Sequence, residues 1–200
     1  MICRLLAFLS FLSFAESSLT NNNTNPFLVT TTANLDAPWA MEFLPSGKML
    51  ISEMAGKLKL LDKNGIILSD VTGVPEVVFK GQGGFGDIKI HPRFKRNRLL
   101  YFSYAERGEE NLVGAAVARA KLVIENNTGY LDQLEVIWRQ VKLESHGHYG
   151  HRITFGPDGY LWISSGERQE FDPAQDMESN LGKIVRLNDD GSPPTNNPFP

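Results

Sequence analysis

The sequence predicts an all-β fold made of repeated antiparallel units, and three observations support this. Residues 43–52 align directly with residues 155–164, with Phe, Pro, Gly, Ile and Ser at matching positions. A third, looser copy runs from Asp87 to Tyr104 and has a longer turn. The periodicity of amphipathic helices is weak along the whole chain. The repeats therefore indicate pairs of β-strands.

Each copy consists of a strand, a turn that contains proline and a second strand. After two of the copies a further short strand ends in a polar turn, at residues 56–65 and 182–191. Units of roughly 45–65 residues with several short antiparallel strands are typical of β-propeller blades. The alternative is a set of unrelated hairpins, as in a β-sandwich, that share common turn residues. We favour the propeller because the repeat continues beyond a single turn.

The length of the chain limits how much of a propeller it can form. Closed propellers contain about four to eight blades of four strands, and a chain of this length supplies about three to four of them. The sequence also ends just after a strand and a turn, at Asn196-Asn197-Pro198-Phe199-Pro200. We therefore expect a partial propeller, and a chain that is a fragment of a longer protein.

The N-terminus predicts export. Arg4 precedes an apolar run that ends at Ala15, as in a secretory signal peptide. A transmembrane helix would need about 20 apolar residues, and this run is shorter. We interpret residues 1–15 as a signal peptide, residues 16–34 as a flexible leader and residues 35–200 as the propeller domain. The mature protein is expected to be periplasmic or secreted and to have no membrane span.

The composition argues against several classes of partner. The chain is 42% hydrophobic and has a formal net charge of -3, so we expect neither nucleic acid nor an anionic membrane surface as a partner. The single cysteine, Cys3, lies in the predicted signal peptide. The mature chain therefore has no cysteine for a disulfide or a thiolate metal site.

Three of the four histidines, His146, His148 and His151, lie beside Arg152 in one short segment. These residues alone leave three interpretations open. His146 and His148 fall on the same side of an extended segment and could chelate a divalent metal, as in a histidine-based metal hydrolase. The histidines could instead be solvated loop residues. In the third interpretation, one of them is a general base tuned by a neighbouring cation or carboxylate.

A set of short motifs resembles a known family. The motifs occur in the order Pro38-Trp39-Ala40, Gly81-Gln82-Gly83-Gly84, His91-Pro92-x-Phe94, His148-Tyr149-Gly150-His151-Arg152, Gly166-Glu167-Arg168, Gly182-Lys183-Ile184-Val185-Arg186-Leu187, Asp190-Gly191 and Asn197-Pro198-Phe199. Together they cover most of the predicted mature chain. They resemble the glucose/sorbosone dehydrogenase family, the soluble aldose sugar dehydrogenases that use pyrroloquinoline quinone (PQQ).

The resemblance implies a fold and a reaction. The family fold is a six-bladed propeller with PQQ and calcium in a cleft at its top. The implied reaction is oxidation of the C1 hydroxyl of an aldose sugar to a lactone. A small sugar is therefore the expected substrate. The sequence does not predict which sugar or which electron acceptor is used.

The resemblance also implies roles for individual residues. The histidine that precedes x-Gly-x-Arg in the family loop falls on His148, which would be the general base that takes the hydroxyl proton. Gln82 matches a glutamine that faces the sugar. Arg152 and Glu167 fall on positions that shape the same cleft, so these three are the predicted substrate-binding residues. The groups that hold PQQ and calcium lie in later blades of the family, so no cofactor or metal ligand is assigned in this chain.

Some residues depart from the family pattern or allow two roles. His151 stands where relatives usually have glycine, so we expect it either to crowd the cleft or to add a second imidazole. Gly147 stands where some members carry an acidic residue. The tryptophans Trp39, Trp138 and Trp162 lie in apolar, strand-like runs. We therefore expect them in the core between blades and not as sugar-stacking platforms.

A non-catalytic function is the main alternative. A secreted β-propeller that binds a glycan or a protein with its upper face would have the same fold, because fold alone does not fix function. Cationic residues and a calcium-binding loop in further C-terminal sequence would favour the enzyme.

Overall fold

The computed structural model describes residues 28–199, of which residues 31–199 belong to one compact unit. The predicted signal peptide and residues 16–27 of the predicted leader lie outside the described residues. Residues 28–37 form neither helix nor strand. In the described range, no helix has the length and apolar character needed to cross a bilayer.

Strands make up nearly all of the regular structure. The first blade contains β1 (Pro38–Phe43), β2 (Met49–Glu53), β3 (Lys57–Leu61) and β4 (Ile67–Thr72). The second contains β5 (Phe85–Ile90), β6 (Leu99–Arg107), β7 (Val113–Glu125) and β8 (Thr128–Arg139). The third contains β9 (Gly150–Phe155), β10 (Leu161–Ser165) and β11 (Lys183–Leu187). Within residues 28–199, helical structure is confined to α1 (Phe94–Asn97) and the 3-10 turns Glu109–Asn111 and Asp172–Ala174.

The blades confirm the predicted all-β fold and partial propeller. Consecutive strands within each blade pair antiparallel. The first strands of the blades lie next to one another, because β1 contacts β5 and β5 contacts β9. The outer strands β4 and β8 also pair, in parallel, through Val71 with Gly129 and Thr72 with Tyr130.

One serine of the sequence repeat has the same function in all three blades. The first strand of each blade contains a register shift, typical of a β-bulge, which leaves a backbone N–H without its partner in the ladder. A serine of the second strand accepts a hydrogen bond from that N–H: Ser52 from Ala40 (3.0 Å), Ser103 from Asp87 (2.8 Å) and Ser164 from Arg152 (3.0 Å). The looser third copy of the repeat is therefore a structural equivalent of the other two.

Two of these serines also join neighbouring blades. The hydroxyl of Ser52 donates to the backbone carbonyl of Gly86 in β5 (2.8 Å). The hydroxyl of Ser103 hydrogen-bonds to Nδ1 of His151 in β9 (2.8 Å). Gly86 and His151 occupy equivalent positions, because each directly precedes the bulge residue that is bound by the serine of its own blade.

Two apolar clusters fill the spaces between blades. The first, between blades one and two, includes the fully buried Leu50, Leu58 and Phe102. The second, between blades two and three, includes Tyr101 and Ile163. Four alanines of β7 are completely buried, at Ala115, Ala116, Ala118 and Ala120, and their small side chains allow the sheets to approach closely.

At the end of the junction opposite the N-terminus of β9, His91 joins blades two and three. Nε2 of His91 lies 3.2 Å from a carboxylate oxygen of Asp189, and Nδ1 accepts a hydrogen bond from the backbone N–H of Arg93 (2.9 Å). The backbone carbonyl of Asp189 accepts from the Tyr101 hydroxyl (2.6 Å) and from Arg119 (2.8 Å). The His91-Pro92 motif is thus part of an inter-blade connection.

Candidate functional site

Two loops meet at the N-terminal end of β9. One is the glycine-rich loop before β5, and the other is the histidine loop, residues 145–149. The backbone N–H of Gln82 donates to the carbonyl of His146 (2.8 Å), and the side-chain oxygen of Gln82 accepts from the backbone N–H of His148 (2.8 Å). Gln82 therefore holds the histidine loop through both its main chain and its side chain.

His148 and Glu167 form a hydrogen-bonded pair. Nδ1 of the His148 ring lies against a carboxylate oxygen of Glu167. The hydrogen bond from His148 lowers the pKa of the Glu167 carboxyl. Because a carboxylate can only accept, Nδ1 carries the proton, and in the neutral ring Nε2 keeps its lone pair. Within the described residues nothing hydrogen-bonds to Nε2, and the His148 side chain is 44% exposed.

The backbone of His148 explains the glycine that precedes Glu167. His148 adopts a left-handed conformation, with φ of 44°, which directs its carbonyl toward the neighbouring loop. A Cβ atom at Gly166 would collide with that carbonyl. Gly166 therefore allows its backbone to lie close to that of His148, and Glu167, directly after it, supplies the carboxylate.

The His148 side chain borders a cavity of about 470 Å³. This volume is within the range of small-molecule sites, roughly 300–1,000 Å³. His148 shares the lining with Trp39, Met54, Gly81, Gln82, Tyr149, Gly150 and His151.

Trp39 departs from the expected core position. Its side chain lines the cavity, and the residue is 55% exposed. It lies on β1, at the position equivalent to Gly86 and His151 on the next two blades. Trp138, in contrast, is partly buried and packs against the cluster between blades two and three and against a further apolar cluster that includes Ala105 and Tyr149. Trp162 is partly buried and lies beside the outer strand β11.

Arg152 lies apart from the other predicted site residues. Its side chain is 71% exposed, and its Nε is 3.3 Å from a carboxylate oxygen of Asp87. The same oxygen of Asp87 accepts a hydrogen bond from the backbone N–H of Ile153 (2.9 Å). Arg152 does not line the cavity. The structure thus brings His148, Gln82 and Glu167 together and places Arg152 at the junction of blades two and three.

The other two histidines of the segment differ from His148. His151 is 5% exposed and bound to Ser103, and burial lowers its pKa to about 4. Its ring therefore adds a neutral imidazole to the cavity wall. Burial, with Lys80 and Arg168 nearby, lowers the pKa of His146. Among residues 28–199, no three His, Cys, Asp or Glu side chains are placed to hold a metal ion.

Two residues beneath the histidine loop were not predicted. Gln140 is 2% exposed, and its side-chain nitrogen lies within 3.1 Å of the Tyr149 carbonyl, the Ser165 hydroxyl and the Gly166 carbonyl. Arg168 is completely buried. Arg168 belongs to the Gly-Glu-Arg motif, which is its one sequence signal. Gln140 has none.

The chain is similar in sequence to known sugar dehydrogenases. The family model for glucose / sorbosone dehydrogenase matches residues 35–200. Aldose sugar dehydrogenase YliI of Escherichia coli is 36% identical over 167 residues, which is 82% of this chain and 44% of that protein. Quinoprotein glucose dehydrogenase B of Acinetobacter calcoaceticus is 26% identical over 192 residues, 83% of this chain and 40% of that protein.

A solved structure shares the fold. The PQQ-bound aldose sugar dehydrogenase of Streptomyces coelicolor matches with a TM-score of 0.75 at 28% identity, covering 86% of this chain and 51% of that one. The chain therefore spans about half the length of these three sugar dehydrogenases.

Proposed function

The chain belongs to the glucose/sorbosone dehydrogenase family, and we propose that it supplies the proton-accepting part of a PQQ-dependent aldose dehydrogenase site. The whole protein would oxidise the C1 hydroxyl of an aldose sugar to a lactone. One observation carries this proposal: the His148 ring is fixed at Nδ1 by Glu167 and presents Nε2, with its lone pair, beside a cavity. The names of the relatives support the reaction class.

Each of three residues contributes to proton removal. Gln82 holds the backbone of His148, and Glu167 holds its ring in the tautomer with the proton on Nδ1. Nε2 can then accept the proton of a sugar hydroxyl placed in the cavity. The carboxylate of Glu167 stabilises the imidazolium that forms, as in other histidine–carboxylate pairs. PQQ, when bound, supplies the electron acceptor.

The cavity lining does not by itself fit PQQ. The cofactor carries carboxylates, which need several matched cations or a metal. Among the described residues, no lysine or arginine lines the cavity. The proposal therefore places the groups that hold PQQ, and any calcium, outside this lining, and it assigns no step to the cofactor here. It follows that the 200-residue chain alone should bind PQQ poorly.

Isotope labelling tests the reaction directly. Purified protein that includes this chain would be incubated with PQQ, Ca²⁺, glucose and a reducible dye. We expect dye reduction that depends on PQQ, a lactone product and slower turnover with glucose deuterated at C1, because the C1–H bond breaks. Dye reduction without an isotope effect would contradict C1 oxidation as the slow step. No PQQ-dependent oxidation, combined with binding in a glycan or protein array, would support a non-catalytic propeller instead.

Export remains part of the proposal. A periplasmic or secreted protein would meet free sugars, and the predicted signal peptide at residues 1–15 is the supporting feature. N-terminal sequencing of exported protein should give a first residue near Glu16. An intact Met1 on the exported protein would contradict the prediction.

A further inference from the structure

Arg168 makes an unusual set of contacts below the histidine loop. Its Nε donates to the carbonyl of Gly147 (2.9 Å), and a terminal nitrogen donates to the carbonyl of Ser145. The other terminal nitrogen donates to the carbonyl of Val113 in β7 (2.8 Å). The guanidinium thus binds the histidine loop on one side and the second blade on the other.

An aromatic ring fixes the plane of the guanidinium. The Arg168 carbon Cζ lies 3.8 Å from the centre of the Tyr149 ring, which is itself 2% exposed. Stacking on an aromatic face suits the planar guanidinium better than the ammonium group of lysine. The side-chain oxygen of Gln140 lies 3.3 Å from the same terminal nitrogen that binds Val113. These contacts therefore fix both the direction of the Arg168 side chain and its depth below the histidine loop.

This cation has no counter-ion in the part of the chain that the structure describes: no carboxylate lies within ion-pair distance of Arg168. Burial lowers its pKa. Burying a charge is costly unless hydrogen bonds compensate, and here backbone carbonyls do so. An apolar side chain would fill the same space without this cost, so the arginine is best explained by the loop geometry that it fixes.

The contacts of Arg168 surround the proposed base. The two loop carbonyls that accept from its side chain belong to residues 145 and 147, and its own backbone N–H lies 3.3 Å from the carbonyl of His148. The residue before it, Glu167, binds the His148 ring. Consecutive residues therefore hold the backbone and the side chain of His148.

We propose that Arg168 is a positioning residue that sets the height and direction of His148, so that Nδ1 meets Glu167 and Nε2 faces the cavity. This inference rests on the proposed function of His148 as a base. Arg168 does not touch the cavity and takes no part in proton transfer. It acts only through the loop.

Two substitutions test the proposal, Arg168→Lys and Arg168→Met. Histidine ¹⁵N chemical shifts report the tautomer of His148, with its signal identified by its absence in His148→Gln. Hydrogen exchange reports the amides of Gln82 and His148, which form the loop hydrogen bonds. We expect a single Nδ1–H tautomer in the wild type. In both variants we expect a mixture of tautomers and at least about tenfold faster exchange, because the loop loses its anchor.

Turnover provides a second readout. In a longer protein that includes this chain and is reconstituted with PQQ, Arg168→Met should lower kcat about 10- to 100-fold, since a small displacement of a catalytic group has effects of this size. Arg168→Lys should lower it less, and KM for the sugar should change little in both. The matched control is Arg186→Lys. The Arg186 guanidinium also stacks on a tyrosine, 4.0 Å from the Tyr160 ring centre, but lies outside the site. This control should match the wild type in tautomer, loop exchange and kcat.

The outcomes separate the two proposals. A wild-type tautomer and wild-type exchange in folded Arg168→Lys would overturn the role of Arg168, and this variant decides the matter if Arg168→Met does not fold. If the protein oxidises no sugar at all, the proposed function fails. In that case the tautomer and exchange measurements still establish or refute the positioning of His148 by Arg168.

Discussion

Two histidine–carboxylate pairs lie at opposite ends of the junction between blades two and three, and they differ in one respect. In the His91–Asp189 pair both ring nitrogens are engaged, and His91 is 4% exposed. In the His148–Glu167 pair only Nδ1 has a hydrogen-bond partner among the described residues, and the ring borders a cavity. A histidine beside a carboxylate thus connects blades at one end and presents an available base at the other.

The tautomers explain the difference. At His91, the backbone N–H of Arg93 donates to Nδ1, so the proton lies on Nε2 and points to Asp189. Nothing remains for a ligand. At His148 the carboxylate accepts a hydrogen bond from Nδ1–H instead, and in the neutral ring Nε2 is left with a lone pair. A histidine beside a carboxylate is therefore a candidate base only if its second nitrogen is available.

The largest effect is expected from His148→Gln in the reconstituted protein. Glutamine keeps a polar side chain but cannot act as the proton acceptor, so turnover with glucose should fall by on the order of 10²- to 10⁴-fold, the usual contribution of a general base. Steady-state kinetics with glucose would measure this. His146→Gln is the matched control and should have a far smaller effect. A larger loss in the control would reverse the assignment.

Glu167→Gln changes the other member of the same pair and should lower turnover less than His148→Gln does. The amide oxygen can accept from Nδ1–H, but the amide nitrogen can equally donate to an unprotonated Nδ1, so the ring would populate both tautomers, and the imidazolium would lose its carboxylate. We expect kcat to fall by on the order of 10²-fold, because the base itself remains. Comparison with the double variant His148→Gln/Glu167→Gln measures the coupling. If the two losses simply multiplied, the residues would not act as a pair.

His91→Gln tests the His91–Asp189 pair, at the other end of the junction. It disrupts a buried inter-blade contact, and we expect a loss of about 2–3 kcal/mol in the free energy of unfolding. Thermal denaturation would detect it as a lower Tm. The kcat per folded molecule should stay at the wild-type value. A proportional loss of kcat would mean that the two ends of the junction are coupled.

His151→Asn should change the acid dependence of stability. Burial lowers the pKa of folded His151 to about 4, whereas an unfolded histidine titrates near 6.5. Between these values the unfolded chain binds the proton and the folded chain does not, so stability falls as the pH drops below about 6.5. The expected loss is about 2 kcal/mol between pH 7 and pH 5.

Denaturant unfolding at several pH values would measure the difference between wild type and His151→Asn. Asparagine tolerates the left-handed conformation at this position, where φ is 49°. The variant should lose less stability than the wild type on acidification. Some dependence should remain, since burial also lowers the pKa of His91. Identical slopes would show that His151 binds its proton as readily in the folded state as in the unfolded state.

The sequence was sufficient to predict the hairpins of each blade, because the repeat determines local structure. The Phe-x-Pro-x-Gly turn and the alternating strands predicted the hairpins, and the serine at the end of the repeat proved to fill the bulge of each blade. The contact between the outer strands β4 and β8 was not predictable. It joins residues that are distant in sequence and has no motif of its own.

The site was predictable only in part. The motifs identified the loops, but which side chains meet depends on left-handed residues such as His148 and on contacts between blades. Arg152 was expected in the cleft; its side chain lies beside the carboxylate of Asp87 and does not line the cavity. Arg168 was missed as an anchor because arginines are usually exposed. Trp39 was expected in the core because its apolar run resembles a buried strand.

The serine contacts give each blade a polarity. A blade offers a hydroxyl on the side of the next blade and an acceptor position on the side of the previous one: the carbonyl of Gly86 in one case and the ring of His151 in the other. The contacts are head-to-tail, so rotation about a common axis can repeat them from blade to blade until a ring closes. A blade engineered into such a ring would need both the serine and a compatible residue before its own bulge. Either one alone would leave an unpaired polar group at one of its two junctions.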